Sequence, residues 1–180
     1  MVLIQQRRGK GSIYKAPSHR YFGELSYTNF TGENQEGIVL DLVNSVGHTA
    51  PLMVVEYVGG DLALLPAVEG IRVGQSISMG EKVPIESGNT IRIKDVPAGT
   101  IVSNVERVPG DGGKLVRTSG MFAQVIGKEK KGIAVRLPSK RKIVVHKNCF
   151  VTIGTVAGGG RTNKPFVKAG NKFHAMKARG

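Results

Sequence analysis

The chain has 180 residues, 40% hydrophobic content and a formal net charge of +13, from 26 Lys or Arg against 13 Asp or Glu. A single cysteine excludes an internal disulfide, and the longest apolar run, at residues 62–68, is too short to span a membrane. So large a basic surplus indicates a polyanionic partner, with RNA or DNA as the first candidate.

The first predicted element is a basic N-terminal arm over residues 1–32. Its apolar start is too short for a signal peptide, which favours a cytoplasmic protein. Cations, glycines and aromatic residues alternate in QQRRGKGSIYKAPSHR, a composition that can hold phosphates and stack on unpaired bases. The candidate RNA-binding residues of this arm are Arg7, Arg8, Lys10, Lys15, His19 and Arg20.

Short apolar runs separated by turn residues follow the arm and predict an all-β chain. Runs at 37–43, 52–58 and 61–67 predict three strands, and Gly59 with Gly60 predicts a tight hairpin between the second and third. A short strand is expected within VEGIRVGQSISMG. Further strands are expected at 99–108, 121–127, 132–138, 141–147 and 151–156.

One of these runs, GIAVRLP, has a clear period of two. Its larger apolar residues alternate with Ala134 and Arg136, which predicts a strand with one face in water. Since no window shows a convincing period of 3.6 residues, we expect little helix.

The charge divides the chain into segments of opposite sign. Residues 23–90 hold nine acidic and two basic side chains, whereas residues 91–157 hold thirteen basic and four acidic ones. The change of sign near residue 90 indicates a boundary. We predict two small β-barrels, at 33–88 and 89–157, that pack on each other because each is near the lower size limit for an independent core.

The last predicted element is a basic arm over residues 158–180, with six Lys or Arg and no acid. Its glycines and like charges predict an extended segment that becomes ordered on RNA, while Phe166 and Phe173 argue against the alternative of a tail without a ligand. The candidate RNA-binding residues of this arm are Gly158, Gly159, Gly160, Arg161, Lys164, Lys168, Lys172, His174, Lys177 and Arg179.

No recognisable catalytic set is present in the sequence, so we expect no enzyme activity, metal or cofactor. HKNC at residues 146–149 has the spacing of two ligands, but nothing supplies the others, and a structural His with a half-buried Cys is favoured. PGDGGKL at residues 109–115 lacks the glycine spacing of a phosphate loop and has no Ser or Thr after Lys114. A glycine-rich turn is therefore favoured there.

Several motifs together resemble large-subunit ribosomal protein two of the archaeal type. In chain order they are RRGKGSIYKAPSHR, TAPLMVVEY, PGDGGKLVRTSG with AQVIG, VRLPSK, and TIGTVAGGGRTNKPFVKAGNKFHAMKARG. The resemblance covers nearly the whole chain. It implies an oligonucleotide-binding-type barrel followed by an SH3-like barrel, with both barrels on large-subunit rRNA.

The resemblance also implies a function and partners. The expected role is that of a structural constituent of the large subunit that supports subunit association, tRNA binding and the peptidyl transferase region. The expected partners are large-subunit rRNA, other ribosomal proteins and the small subunit across the interface. A free-standing RNA-binding protein or RNA chaperone is the alternative, and an enzyme acting on RNA is disfavoured.

Some positions take their expected role from the family. Lys114 and Arg117 lie in the glycine-rich motif, and the RNA-contacting arginine of the family falls on Arg117. His48 stands where family members usually have Arg, and a neutral His would weaken a phosphate contact there. The family also has a His- and Gly-rich segment beyond the position of Gly180, so no direct role in peptidyl transfer is carried over.

Overall fold

The fold consists of ten short β-strands and one helix among the residues that the structure describes. The structure is a computed structural model, and it describes residue 19, residues 21–28, residue 30 and residues 32–179, with side chains to residue 177. The strands are β1 Gln35–Val43, β2 Leu52–Tyr57, β3 Leu62–Pro66, β4 Ser76–Gly80, β5 Thr90–Arg92, β6 Ile101–Ser103, β7 Ala123–Glu129, β8 Gly132–Arg136, β9 Lys142–Val145 and β10 Phe150–Ile153. Helix α1 is Ala169–Arg179, and 3-10 turns occur at Ile93–Asp95 and Arg161–Asn163.

All ten strands belong to one sheet in the order β3-β2-β1-β4-β5-β10-β6-β7-β8-β9. Neighbouring strands are antiparallel except for β4 and β5, which pair in parallel through Met79 with Thr90 and Gly80 with Ile91. A bulge between Val39 and Asp41 in β1 breaks the regular register with β2. Bulges of this kind bend a strand and increase its twist.

Two apolar clusters lie against this sheet. Alternate residues of β1 to β4 fill the first, and residues from β5 to β10 fill the second. Phe150 on β10 packs in the first cluster while the next residue, Val151, packs in the second. Strand β10 therefore contributes to both clusters, and the division into 33–88 and 89–157 stays a prediction.

Tyr27 connects the two halves a second time. Its ring packs in the first cluster, and its hydroxyl donates to the carbonyl of Asn104 at 2.6 Å while lying 2.8 Å from Thr152 Oγ1. Burial raises the pKa of Tyr27, so the hydroxyl stays protonated and keeps this donor role.

The all-β class predicted from the sequence is confirmed, and so is the hairpin at Gly59 and Gly60, which joins β2 to β3 with positive φ at both glycines. Strand β5 was not predicted, because three residues between Ser, Gly and Asn neighbours give too short a pattern to recognise. The prediction of a wet face is wrong at Ala134, whose side chain is buried, although Arg136 two residues further along β8 is exposed.

The prediction of an extended C-terminal arm is also wrong for its second half. Residues Ala169–Arg179 form an α-helix. Ala, Lys, Met and Arg are good helix formers, and cations near the C-terminus interact favourably with the helix dipole. The glycines of the segment suggested an extended chain, but most of them precede the helix. No helix in the described part of the chain has the length and apolar character needed to cross a membrane.

Candidate nucleic-acid interface

The C-terminal segment presents an exposed basic surface. Nearly every side chain described from residue 162 to residue 177 is exposed, including Lys164, Lys168, Lys172, His174 and Lys177. The whole segment 158–180 contains no acidic residue. A helix of about eleven residues without tertiary packing is marginal in water, so its stability depends on a partner. Phosphates are the partner that this charge favours.

Apolar side chains accompany the cations of helix α1. Phe173 is 63% exposed, Met176 is 50% exposed, and the rings of Phe173 and His174 form an edge-to-face pair with centroids 5.6 Å apart. Phe173 and Met176 are three residues apart and therefore share one side of the helix. A surface that combines exposed aromatic rings with lysines suits stacking on unpaired bases beside phosphate contacts.

Before the helix, the chain crosses close over the segment that contains Gly120. A Cβ built on Gly120 would lie 2.6 Å from Gly159 Cα, and Gly120 has a φ of +71°. Two hydrogen bonds hold this crossing, from Gly120 N to the Val156 carbonyl at 2.9 Å and from Val156 N to the Met121 carbonyl at 3.1 Å. A residue with a side chain could not replace Gly120 without moving the backbone.

Arg161 is tied to the same crossing. Its Nε donates to Ser119 Oγ at 3.3 Å, and the Ser119 backbone N–H donates to Thr49 Oγ1 at 3.3 Å. Gly158, Gly159 and Gly160 are exposed just before it. Arg161 itself is half-buried, and contact of these four consecutive residues with RNA stays a prediction.

The residues that directly follow Gly120 in the chain line a groove of about 430 Å³. Met121 and Phe122, which are 42% and 46% exposed, line it together with Arg136 and Lys140. None of these four residues was predicted to belong to a site. The only signal in the sequence was an apolar pair, MF, directly after a turn, and a sequence does not show whether such a pair is exposed.

Arg117 has a structural role in the described part of the chain. Its Nε donates to Asn104 Oδ1 at 2.9 Å, and its Nη2 donates to the carbonyls of Leu25 at 3.1 Å and Gly112 at 2.9 Å. The neighbouring Val116 has a φ of +58°, which is strained for a β-branched residue. The guanidinium therefore holds the strained turn against the N-terminal segment, a role that the sequence did not reveal.

The backbone N–H groups of the glycine-rich turn are occupied by the protein's own carboxylates. Glu106 is buried, and its Oε1 accepts from Gly110 N at 3.2 Å and Gly112 N at 3.3 Å. Asp111 Oδ1 accepts from Gly113 N at 3.0 Å. A phosphate cannot use the same donors, so the interpretation of this segment as a turn is supported. Lys114 at its end is exposed and lies 3.9 Å from Glu24.

His48 is held in a neutral form. Its Nδ1 lies 3.0 Å from Ser45 Oγ, and this oxygen also accepts from Phe22 N at 3.2 Å. Burial lowers the pKa of His48, with the positive charge of Arg117 as a second cause. Its ordinary value of 6.5 is already below neutral pH, so the ring is uncharged at pH 7.

The HKNC residues do not converge on a shared ligand position. Cys149 is fully buried, and burial raises the pKa of its thiol to about 11, whereas His146 is exposed and its Nδ1 accepts from Asn148 N at 3.3 Å. No group of three or more metal-ligand side chains was found among the described residues. The prediction of a half-buried Cys underestimated its burial.

The remaining candidate residues are His19, Arg179 and the other cations of the N-terminal arm. His19 is exposed. The backbone of Arg179 ends helix α1, but its side chain lies outside the described residues. Also outside them are Arg7, Arg8, Lys10, Lys15 and Arg20.

Comparisons with known proteins give a consistent result. A family model described as Ribosomal Proteins L2, C-terminal domain, matches residues 86–179. The large ribosomal subunit protein uL2 of Methanocaldococcus jannaschii is 46% identical over 182 residues, which cover 98% of this chain and 75% of the relative. The protein of the same description from Haloarcula marismortui is 46% identical over 177 residues, covering 97% and 74%, and that from Archaeoglobus fulgidus is 43% identical over 178 residues, covering 98% and 75%.

Proposed function

Because the chain belongs to the uL2 family of large ribosomal subunit proteins, we propose that it is a structural constituent of the large subunit in the cytoplasmic ribosome and binds large-subunit rRNA. The observation that carries this proposal is the acid-free, exposed C-terminal segment, because it is the part of the described surface best suited to phosphate. A structural role requires no catalytic group.

The proposed RNA-binding surface has three parts with different tasks. The cations of segment 158–179 neutralise phosphates, as predicted from the sequence. The exposed Gly160 beside the crossing has open space where a Cβ would be, so the RNA backbone can come close there. The groove beside it offers Phe122 for stacking, with Arg136 and Lys140 placed for phosphate.

Two candidates from the sequence take different places in this proposal. Arg117 acts through the turn that it holds, because its described hydrogen bonds are to protein atoms. Lys114 is exposed and remains a candidate phosphate contact. The N-terminal cations and His19 stay candidates from the sequence pattern. The finer roles in subunit association, tRNA binding and support of the peptidyl transferase region, with the small subunit as a partner, rest on the family resemblance alone.

The proposal is tested by identifying the RNA that the chain binds in its own cells. The tagged chain is purified under native conditions and the bound RNA is sequenced, and we expect large-subunit rRNA to dominate. A broad mixture of RNAs without large-subunit rRNA would instead indicate a free-standing RNA-binding protein or chaperone.

Charge variants test which surface makes the contact. Replacing Lys164 and Lys168 by Ala should weaken binding to rRNA and reduce the dependence of log affinity on log salt by about 2. The matched control replaces Lys130 and Lys131, which are equally exposed in the β7–β8 hairpin and lie outside the proposed surface. If the control pair weakens binding as much as the test pair, the C-terminal segment is not the specific contact.

A further inference from the structure

The outer face of strands β1 to β3 carries exposed apolar and acidic side chains together. Ile38 is 50% exposed and Leu62 is 65% exposed, while the residues beside them in sequence, Val39 and Ala63, are buried in the core. Glu56 stands directly opposite both Ile38 on β1 and Leu62 on β3. Residues opposite each other in a sheet point to the same side, so this carboxylate is flanked by two apolar side chains.

The same pattern continues on both sides of this row. Glu36 pairs with the segment after β2 through a hydrogen bond from Val58 N to its carbonyl at 2.8 Å, and Val58 is 78% exposed. On the other side, Asp41 stands opposite Val54, and the bulged Leu40 is 44% exposed. We name this surface the acidic sheet face. It consists of Glu36, Ile38, Leu40, Asp41, Glu56, Val58 and Leu62.

The carboxylates of this face are not neutralised within the described chain. The ion pairs found there use Glu24, Glu81 and Glu129, and none uses Glu36, Asp41 or Glu56. Residues 23–90 contain only two cations, Arg72 and Lys82. Lys82 lines a neighbouring groove with Glu36, without an ion pair.

The chemistry of this face excludes an RNA partner. Its carboxylates repel phosphates, and its aliphatic side chains offer no ring on which a base could stack. A second copy of the same face would bring like charges together and is disfavoured for that reason. Exposed apolar side chains in a contiguous patch indicate a protein contact, and the rim of carboxylates selects a partner of positive charge.

We propose that the acidic sheet face docks a Lys- and Arg-rich segment of another protein, whose apolar side chains cover Ile38, Val58 and Leu62 while its cations pair with Glu36 and Glu56. A groove of about 410 Å³ between the ends of β1 and β2 gives such a segment a concave seat. The location of this partner in the large subunit rests on the proposed function, but the face and the chemistry of its partner do not.

The test is carbodiimide crosslinking, which couples a carboxylate directly to a lysine amine in contact with it. The reagent is added to a lysate of cells that carry the tagged wild-type chain, and the crosslinked peptides are identified by mass spectrometry. Glu129 and Lys142, which form an ion pair within the chain, provide the internal positive control. Sedimentation of the tagged chain with the large subunit is scored separately and tests the proposed function.

The expected product joins Glu36 or Glu56 to a lysine in a basic segment of a second protein. A crosslink from Glu36 or Glu56 to Lys10 or Lys15 of the same chain would overturn the proposal. The proposal would also be overturned if the control crosslink formed and no product was found at Glu36 or Glu56. If ultraviolet light instead crosslinked Leu62 or its neighbours to rRNA, the choice of a protein partner would be wrong.

A substitution on the face tests the apolar part of the contact. Replacing Leu62 by Ser should reduce the yield of the Glu36 crosslink about tenfold, because the apolar burial contributed by this side chain is lost. Replacing Val108 by Ser is the matched control, since Val108 is 59% exposed and lies away from the face, and it should leave the yield unchanged. Equal yields in the two variants would show that the apolar residues are not covered.

Discussion

Removal of the Arg117 guanidinium tests whether this residue supports the fold or contacts RNA directly. In the Arg117→Ala variant three hydrogen bonds are lost, to Asn104 Oδ1 and to the carbonyls of Leu25 and Gly112. Each such bond contributes about 1 kcal/mol net, so the free energy of unfolding should fall by about 3 kcal/mol. For a chain of this size this corresponds to a decrease in Tm of roughly 6–12 °C.

The measurement is urea unfolding of the full chain without RNA, monitored by circular dichroism. Arg117→Lys separates charge from geometry, because lysine keeps the positive charge but cannot reach the three acceptors with one planar group. We expect both Arg117 variants to be destabilised. The control is Arg141→Ala, at an exposed position in the turn before β9, which should change stability by less than about 0.5 kcal/mol.

A particular pattern of results would refute this reasoning. If Arg117→Ala unfolds like the wild type while its affinity for rRNA falls by about 1–3 kcal/mol, the guanidinium is an RNA contact and the hydrogen bonds to the protein are incidental. Retained affinity with lower stability would support the structural role.

Three further outcomes follow from particular residues. Burial raises the pKa of Glu106 above its ordinary value of 4.5, so the folded state binds a proton more tightly than the unfolded state, and stability is lost as pH rises through the raised pKa. The Glu106→Gln variant should lack this decline when urea unfolding is compared at about pH 4 and about pH 7. An identical decline in the variant and the wild type would contradict this prediction. Gly120→Ala should lower the free energy of unfolding in urea by about 1–3 kcal/mol, because the added Cβ would meet Gly159. The loss should exceed that of Gly160→Ala, where φ is similar but the position of the Cβ is open; equal losses would show that the contact is unimportant. Ala175→Pro breaks helix α1 and should lower rRNA affinity about tenfold in a filter-binding assay, while urea unfolding stays nearly unchanged because the helix is exposed. Unchanged affinity would show that the helix is not part of the interface.

The strand pattern could be predicted because its causes are local. Short apolar runs and paired glycines marked β1 to β3 and their hairpin correctly, and the all-β class followed from such runs along the chain. Strand β5 and the burial of Ala134 could not be predicted, because both depend on how the segments assemble in the tertiary structure. The helix at Ala169–Arg179 was missed because the glycines of the segment outweighed its helix formers in the interpretation.

The candidate site divides in a similar way. Net charge indicated the C-terminal cations, and their exposure agrees with that indication. The hydrogen bonds of Arg117 reach Leu25 and Asn104, which are remote in sequence, so no local pattern could reveal that role. The exposure of Phe122 and the acidic sheet face likewise arise from tertiary structure, because a sequence shows an apolar residue without showing which side of a strand meets water.

The most direct test of the proposed function is the salt dependence of rRNA binding by the intact chain. If about six cations of the C-terminal segment contact phosphates, log affinity should fall against log salt with a slope of roughly −5, since each contact contributes about −0.9 on a duplex. A slope of about −1 would contradict the proposed rRNA contact, because it would leave the exposed cations without phosphate partners.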